Sequence, residues 1–473
     1  MFVEHNFLWD MEFVDRINEQ RRLGMLLEAD EPNFIIVRGR RRIGKSALIG
    51  RVLTDKDIYY EADRTSAPNQ MMQLSEVIAH RFPGFADAVY RDWRSLLTAL
   101  NHRTTEKFTL CLDEFPYLAE GSPELPSVIQ GLLDSGALRY NLVVCGSSQQ
   151  MMYDLTHDET SPLYGRGAAD FKVGPISIAY LPLALGVDAE QAVTEYSLWG
   201  GVPRYWKLRE SAGSFADAVG FHLLSSYGAL YEEPVRLFRD DIKDTVKTAT
   251  IMSIVGSGVN RLSEIAARCG EPATNLSRPL AKLVSLGYLE KEIPYGESPK
   301  SSKRSLYRIA DPFLSFYYKF VVPNRSFIEL DRMDPVNHSL NIRLSSHIAY
   351  WWEHICRDAV SGNTIDGITY GEARRWWSKD AEIDVVVESL DHTTILLGEC
   401  KWSDTDNAGE LTRRLEHLAQ ALPFTQGKKV IIKLFLRTSP SDSSDNVLLP
   451  QDVLKMSFGS RPIDPSPQFD FEK

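Results

Sequence analysis

Cysteine is scarce in this sequence, and the few cysteines are not paired. The 473 residues contain five cysteines, and no two of them stand in a CxxC spacing. Disulfide-rich secreted domains and zinc ribbons need closely paired cysteines, so the sequence excludes both classes. Isolated cysteines are typical of a reducing compartment.

Long apolar runs and an excess of basic residues are also missing. No apolar run approaches the roughly 18 residues of a membrane-spanning helix, and the N-terminus lacks the pattern of a secretion signal. We therefore predict a cytoplasmic protein without a membrane segment. Lys and Arg number 53 against 64 Asp and Glu, a net charge of −11. This charge excludes a histone-like polyanion binder but allows a local basic patch.

The length predicts several domains, at about 100 to 200 residues each. From residue 34 to about 175, short apolar runs alternate with amphipathic stretches, which is the pattern of a parallel α/β sheet. The sequence predicts six units in order: a P-loop ATPase core at 1–206, a helical lid at 207–244, a winged helix at 245–310, a helical linker at 311–344, a second, smaller α/β unit at 345–440 and a tail at 441–473. The predicted fold class is α/β.

A phosphate-binding loop follows the first apolar run, FIIV. The sequence GRRRIGKS matches GxxxxGK[ST] between a predicted strand and a predicted helix, the context that the motif requires. Backbone N–H groups of such a loop surround the β-phosphate, the lysine neutralises the β- and γ-phosphates, and the hydroxyl completes a Mg²⁺ shell. We expect ATP and Mg²⁺ to bind, with these nucleotide-binding residues: Gly39, Arg40, Arg41, Arg42, Ile43, Gly44, Lys45, Ser46 and Ala47.

An acidic pair ends the apolar segment KFTLCLDEF. We expect Asp113 to organise Mg²⁺ together with Ser46 and to belong to the nucleotide site, and Glu114 to activate the attacking water. The predicted strand DIYYEA lies between the two motifs. This arrangement resembles the additional-strand-catalytic-glutamate class of P-loop ATPases.

Two further positions are candidates for sensing the γ-phosphate. The strand after the acidic pair ends in Ser147 and Ser148, where that class carries a polar sensor, and Ser147 is the expected one. Two roles are possible for Arg166. It approaches the γ-phosphate from its own or a neighbouring subunit, or it forms an exposed salt bridge.

Five segments of the N-terminal half together resemble the archaeal-type ATPase family of the STAND branch of AAA-related NTPases. They are MEFVDRINEQRRLGMLL, VRGRRRIGKSALI, LDEFPYL, SPLYGR and WGGVPRYW, within residues 11 to about 206. The resemblance implies that the segment from Phe13 to Glu19 helps to hold the adenine. It also implies that a GGxPxY segment lies close to the nucleotide, here Gly200, Gly201, Pro203 and Tyr205. This chain departs from the family at Asp15, where the family usually has glycine.

The pattern of residues 245–310 predicts three short helices and a hairpin, which are the elements of a winged helix. Residues 236–308 carry 13 Lys and Arg but eight Asp and Glu, so basic charge is concentrated there. Polar and basic residues lie on the predicted recognition helix and the wing tip: Asn275, Ser277, Arg278, Lys282, Lys300, Lys303 and Arg304. Double-stranded DNA is the expected partner. The alternative is a lid or a protein-docking role.

Two carboxylates and a lysine are predicted to converge near the C-terminus. Glu399 and Lys401 alternate on one strand and share a face, and Asp384 comes from the preceding strand of a predicted hairpin. Asp384 and Glu399 are expected to hold Mg²⁺ through oxygen atoms, and Lys401 to orient the attacking water. Alternating Glu and Lys is by itself typical of a solvated strand face. The buried run ILLG before the motif favours a catalytic site.

These residues match the PD-(D/E)xK pattern of restriction-like nucleases, with Asp384, Glu399 and Lys401 as its catalytic core. Glu353 matches the helical glutamate that often precedes them and is a further expected metal ligand. From Ile309 through GECKW, the chain resembles the uncharacterised domain that follows this ATPase family and that is regarded as a restriction-endonuclease-like fold. The resemblance therefore implies a nuclease domain at the C-terminus.

Together, these patterns predict an ATPase that couples a nucleotide switch to DNA binding and Mg²⁺-dependent DNA cleavage. Two alternatives stay open: an ATP-switched DNA-binding regulator, or a STAND-type signalling ATPase that forms nucleotide-dependent homo-oligomers, each with an inactive nuclease-like scaffold. His347 and His354 stand seven residues apart on a Trp-rich helix. We expect them to be packing or surface residues rather than metal ligands.

Overall fold

The computed structural model describes residues 14–103, 106–242, 244–298, 302–404, 407–440 and 446–458. Phe13, Lys300 and the parts of the predicted tail at 441–445 and 459–473 lie outside these ranges. Within them, every helix is too short or too polar to cross a membrane.

A parallel five-stranded sheet forms the centre of the N-terminal unit, and its strands lie within the segment from residue 34 to about 175 that was predicted to form a parallel α/β sheet. They are β1 Phe34–Arg38, β2 Ile58–Glu61, β3 Thr109–Asp113, β4 Asn141–Gly146 and β5 Ala169–Lys172. The order across the sheet is β2-β3-β4-β1-β5. β4 therefore separates the strand before the phosphate loop from the strand that ends in the acidic pair. The strand that lies between the two motifs in the sequence, β2, is at the sheet edge.

Helices cover both faces of this sheet because alternate strand residues enter two separate apolar cores. Ile35 and Val37 belong to one core, whereas Phe34 and Ile36 belong to the other. The helices of this unit are α1 Ile17–Glu28, α2 Lys45–Val52, α3 Ala67–Arg81, α4 Trp93–Arg103, α5 Phe115–Gly121, α6 Leu125–Asp134 and α7 Gln149–Thr156.

A helical region and then the winged helix follow. The helical region contains α8 Leu181–Leu185, α9 Ala189–Trp199, α10 Pro203–Glu210, α11 Phe215–His222 and α12 Glu233–Asp241. The winged helix contains α13 Thr245–Gly256, α14 Leu262–Cys269, α15 Ala273–Ser285 and an antiparallel hairpin of β6 Leu289–Glu292 and β7 Leu306–Ile309. Three helices and a hairpin are the elements predicted for this segment.

The chain continues through α16 Pro312–Phe316, a π-helical turn Tyr317–Val321, α17 Arg325–Glu329 and α18 Met333–Val360. α18 is a single helix of 28 residues. It runs through the polar stretch at 334–339 and across the expected boundary between 344 and 345. Pro335 does not break it, because a proline in the first turn removes no helical hydrogen bond.

The C-terminal unit is built on a second sheet, in the order β10-β11-β12-β13-β14. Its strands are β10 Arg374–Trp377, β11 Glu382–Glu388, β12 Thr394–Lys401, β13 Lys429–Leu436 and β14 Val447–Leu448, and a small hairpin of β8 Thr364–Ile365 and β9 Ile368–Thr369 precedes them. β10, β11 and β12 are antiparallel, and β13 runs parallel to β12. The crossover between those parallel strands is α19 Ala408–Ala421, and α20 Pro450–Ser457 ends the described chain.

The segment 446–458 is part of this fold, whereas the sequence predicts a tail from residue 441. β14 pairs with β13, and Val453 and Leu454 of α20 are buried. Burial of these apolar side chains outweighs the polar, turn-rich sequence that surrounds them.

Candidate functional site

The phosphate-binding loop turns sharply between β1 and α2. Gly44 precedes α2 with a φ of 93°, in the left-handed region. A Cβ atom on Gly39 would lie 2.5 Å from the carbonyl oxygen of Val173, so the loop needs glycine there. Lys45 is buried, and its Nζ donates to the Arg40 carbonyl at 3.3 Å. The lysine thus points back across the loop, where phosphate oxygens would lie.

Ser46 and Asp113 meet beside this loop. The Ser46 hydroxyl donates to Asp113 Oδ2 at 2.7 Å, and the Tyr59 hydroxyl donates to the same oxygen. Burial alone would raise the pKa of Asp113, but hydrogen bonds from Tyr59, Cys145 and Ser46 offset it and lower the pKa. An ionised carboxylate beside a hydroxyl is an oxygen donor set that fits Mg²⁺.

Glu114 contacts the expected sensor directly. Its Oε2 accepts the Ser147 backbone N–H at 3.1 Å and the Ser147 hydroxyl at 2.9 Å. The contact follows from the sheet order, because the carboxyl ends of neighbouring parallel strands lie side by side. Ser148 has a different role, since its hydroxyl caps α7 by accepting from the Met151 N–H.

Arg166 forms an exposed salt bridge, the second of the two roles predicted for it. Its guanidinium pairs with Asp134 at 2.8 Å on the exposed surface. In this arrangement the side chain is bound to Asp134 of α6 within the ATPase domain.

Both segments that the family resemblance placed near the nucleotide lie against the loop. Asp15 and Arg16 take φ values of 66° and 69°, so the turn forms without the family's glycine. The Arg16 guanidinium donates to the Ile43 carbonyl at 3.4 Å. Pro203 packs against the other side, with its Cγ 3.6 Å from where a Cβ on Gly44 would be.

Two arginines of the phosphate-binding loop form ion pairs with later parts of the chain. Arg40 pairs with Asp311, the residue just before α16, and Arg42 pairs with Glu233 of α12 at 2.6 Å. Burial would lower the pKa of Arg40, but the charge and hydrogen bond of Asp311, together with Tyr205 and Tyr288, outweigh this effect and raise the pKa. Tyr205 joins the same network by donating to Glu233 at 3.1 Å. The sequence had assigned these arginines to nucleotide binding alone.

The end of β4 is joined to the winged helix through one buried carboxylate. Asp241 accepts the Gln149 backbone N–H and the Tyr288 hydroxyl, both at 2.7 Å. The Gln149 side chain also donates to the Leu286 carbonyl at 2.9 Å. The segment that follows the expected sensor Ser147 therefore touches the winged helix.

The recognition helix α15 presents its polar side to solvent. Asn275, Ser277 and Arg278 are exposed, and Lys282 is half-buried. Leu280 and its neighbours on the opposite face are buried in the winged-helix core. The exposed face can therefore approach a DNA groove in this arrangement.

The wing, unlike the polar face of α15, is held by contacts with the C-terminal unit. Arg304, expected to contact phosphate, pairs with Glu297 and donates to the Trp377 carbonyl at 2.7 Å. The Tyr295 N–H donates to the Arg375 carbonyl at 2.8 Å. Both acceptors lie on β10, so the wing is docked on the edge of the C-terminal sheet, and Lys303 is exposed beside it.

The predicted nuclease residues come together on the β11–β12 hairpin. Asp384 Oδ2 accepts the Cys400 N–H at 2.9 Å. Burial, followed by the charges of Glu353 and Glu399, raises the pKa of Asp384 to about 7. Glu399 Oε2 is buried without a hydrogen-bond partner. Crowded carboxylates with an orphaned oxygen fit a divalent cation, which takes oxygen ligands and would reduce their repulsion.

Lys401 lies beside this cluster and is bound to it. Its Nζ pairs with Glu399 Oε1 at 2.7 Å, and Arg414 of α19 pairs with the same oxygen at 2.7 Å. Burial would lower the pKa of Lys401, but the pair with Glu399 outweighs this effect and raises it. Arg357 of α18 donates to the Asp384 carbonyl at 3.0 Å.

Sequence reasoning missed both arginines. Arg357 follows Glu353 by four residues on one helix, a spacing that places both on one face and could have been noticed. Arg414 comes from the crossover helix, and nothing in its local sequence shows which strand end that helix would face.

A tighter group of metal-ligating side chains lies elsewhere. Within the described ranges, only Glu290, Glu292 and His354 bring three ligand atoms to within 4.8 Å of one another. His354 donates to Glu290 at 2.7 Å, and Arg308 pairs with Glu292 at 2.6 Å. Ion pairs link these side chains and join β6 to α18. His347 is buried and bonds to the Ser197 carbonyl.

Three family matches follow the domain order of the fold. Residues 13–204 match an ATPase domain predominantly from Archaea. Residues 245–292 match an IclR helix-turn-helix domain. Residues 317–412 match a family of archaeal and bacterial proteins of unknown function.

Similar proteins were found both in sequence and in structure. An uncharacterized protein of Methanocaldococcus jannaschii is 26% identical over 402 residues, which cover 83% of this chain and 88% of that protein. The ORC2 protein of Aeropyrum pernix has a TM-score of 0.41 at 16% identity, covering 69% of this chain and 97% of its own. A signal transduction ATPase with a tetratricopeptide repeat sensor from Pyrococcus horikoshii has a TM-score of 0.33 at 14% identity, covering 73% and 49%.

The family matches agree with the geometry of the two N-terminal domains. The loop, the acidic pair and the sheet order are those of a P-loop ATPase, and the helices and hairpin after them are those of a winged helix. Residues 13–204 are therefore similar to an ATPase domain found predominantly in Archaea, and residues 245–292 are similar to a helix-turn-helix domain.

Proposed function

We propose that ATP binding and hydrolysis control the binding of double-stranded DNA by the winged helix and its Mg²⁺-dependent cleavage by the C-terminal unit. The observation that carries the nuclease assignment is the buried cluster on the β11–β12 hairpin. Asp384, Glu399 and Lys401 meet there, with Glu353 close enough to raise the pKa of Asp384.

Each residue of that cluster has a chemical role in phosphodiester hydrolysis. Asp384 and Glu399 would hold Mg²⁺, with Glu353 as a further ligand. Mg²⁺ in such a site neutralises charge on the scissile phosphate and acidifies a bound water. Lys401 would hold the attacking water and stabilise the negative charge that develops on the phosphate oxygens. Arg357, bound to the Asp384 carbonyl, would keep β11 in position.

The contacts between domains support control by nucleotide. Arg40 and Arg42 join the phosphate loop to Asp311 and Glu233, and Asp241 joins the end of β4 to the winged helix. A nucleotide that draws the arginines toward its phosphates would break these ion pairs. ATP and ADP would then favour different arrangements in proportion to their different affinities for them.

The decisive experiment is cleavage of supercoiled and linear DNA with Mg²⁺ or Mn²⁺, with and without ATP. The test variant is Asp384→Ala, and the matched control is Asp380→Ala, an exposed aspartate four residues away. We expect the wild type and the control to cut, and Asp384→Ala to be inactive. Lys45→Ala should separate the two activities by cutting without any response to ATP.

A DNA-binding regulator with an inactive nuclease-like scaffold is the second candidate. The observation that favours it is the double ion pair of Glu399, because Lys401 and Arg414 already compensate this carboxylate. ATP-dependent duplex binding with no cleavage by the wild type under either metal would support this candidate and refute the nuclease assignment.

A further inference from the structure

A small cavity lies where the winged helix meets α18. Its volume is about 170 Å³, and its wall is formed by the end of α13, by β7, by the π-helical turn and by α18. The packing around it is tight, since a Cβ on Gly256 of α13 would lie 2.5 Å from Tyr318 Cβ. The cavity therefore lies between closely packed elements of two domains.

The wall of this cavity carries positive charge without a matching carboxylate. Lys319 and Arg343 line it, and no Asp or Glu does. Both cations lie near the ring of Phe320, with Lys319 Nζ at 5.6 Å and Arg343 Cζ at 5.9 Å from its centroid. Neither forms an ion pair with any carboxylate of the described chain. Arg308, a third lining cation, is neutralised by Glu292.

Two positive side chains that face one small cavity repel each other. Burial, followed by the charge of Arg343, lowers the pKa of Lys319 to about 8. Polar side chains beside the two cations are also available, because Ser315 and Asn260 line the cavity and their side chains bond to no other described residue. Two cations, a hydroxyl and an amide thus face one small space.

We propose that this cavity binds a small dianion of the phosphate class, and that the bound anion fastens the winged helix to α18. Guanidinium and ammonium groups bind phosphate oxygens through charged hydrogen bonds. The volume is below the roughly 300 to 1,000 Å³ of pockets for drug-sized ligands, so inorganic phosphate or a compact phosphomonoester fits best. The proposal is independent of the nuclease assignment.

Thermal unfolding tests the proposal, with inorganic phosphate and glycerol phosphate as probes against chloride at matched ionic strength. The phosphate-binding loop is a second anion site, so every measurement is made in the Lys45→Ala background. The test variants are Lys319→Met and Arg343→Met, and Lys56→Met, an exposed lysine of the ATPase domain, is the control. A ligand that binds only the folded protein raises its melting temperature with saturation.

We expect saturable stabilisation by one or both probes in the Lys45→Ala protein and in the control, and its loss in both test variants. Without anion, Lys319→Met should melt at a higher temperature than its parent, because it removes one of two repelling cations. The proposal is wrong if neither probe stabilises the parent, or if the stabilisation survives in both test variants. A response to glycerol phosphate but not to phosphate identifies a phosphomonoester as the ligand.

Discussion

Lys45 lies across the phosphate loop with its Nζ on the Arg40 carbonyl, a contact that phosphate oxygens would replace. Loss of a charge that binds phosphate directly costs about 2 to 5 kcal/mol, so Lys45→Ala should weaken ATP binding by about 30-fold or more. Isothermal titration calorimetry with ATP and Mg²⁺ measures this effect. Lys56→Ala is the control, and wild-type affinity in Lys45→Ala would refute the nucleotide site.

His347 gives the fold a pH dependence of known sign. Burial, together with the charge of Lys319, lowers the pKa of His347 to about 3, whereas an exposed histidine has a pKa near 6.5. Between these values the unfolded chain binds the proton and the folded chain does not. Stability is therefore full above pH 6.5 and is lost as the pH falls, by about 1.5 kcal/mol between pH 6.5 and 5.

Urea unfolding at several pH values tests that dependence. His347→Gln keeps a donor for the Ser197 carbonyl but cannot be protonated, so its stability should fall less below pH 6.5 than that of the wild type. His338→Gln, an exposed histidine on the same helix, should behave like the wild type. Identical pH profiles for wild type and His347→Gln would contradict the assignment.

At the scale of elements, the recognition helix and the wing should respond differently to loss of an arginine. Arg278 of α15 is exposed, whereas Arg304 of the wing is held by Glu297 and the Trp377 carbonyl. Arg278→Ala should weaken duplex binding at every sequence and lower the salt slope by about 1. Arg304→Ala should leave the duplex affinity unchanged.

Fluorescence anisotropy across a range of salt concentrations provides both measurements. The assignment fails if Arg304→Ala costs as much affinity as Arg278→Ala, because the wing would then have to leave β10 to reach DNA. Absence of duplex binding in the wild type would remove the DNA partner altogether.

The sequence predicted those elements whose pattern is local. β1, β3 and β4 are mainly continuous apolar runs, and α14 and α15 of the winged helix are amphipathic, so these elements agree with the prediction. The acidic pair and Ser147 could be placed because parallel strands bring their carboxyl ends together. The Asp384–Glu399 hairpin followed in the same way from alternation on paired strands.

Features that depend on packing between distant segments could not be predicted from local sequence patterns. Nothing near Arg304 shows that the wing would meet β10, and nothing near Arg40 shows that its partner would be Asp311. The expected boundary between residues 344 and 345 falls inside α18, whose packing against distant elements is not visible in its local sequence. Contacts of this kind require the whole fold.

At the scale of the whole molecule, the pair of Arg40 with Asp311 should carry part of the communication between nucleotide and DNA. Asp311 also caps α16 through the Leu314 N–H, a role that asparagine keeps. Asp311→Asn should therefore retain the fold and ATP binding. It should reduce the difference in duplex affinity between the ATP and ADP states, which is about 5- to 150-fold in typical coupled systems.

Anisotropy with each nucleotide measures that difference. Asp170→Asn is the matched control, because Asp170 pairs with Arg38 at 2.8 Å within the ATPase domain and joins no other unit. An unchanged difference in Asp311→Asn would show that the coupling takes another route, such as the contacts of Asp241.

α18 also decides how the molecule can be divided. With 28 residues it is about 42 Å long, and its buried side chains join the same apolar core as the ATPase sheet and the winged helix. A fragment that begins at residue 345 would start in the middle of α18 and expose the apolar face of this helix. Because α18 is one continuous helix, a displacement of its first turns would be transmitted along it toward Glu353 and the carboxylate cluster.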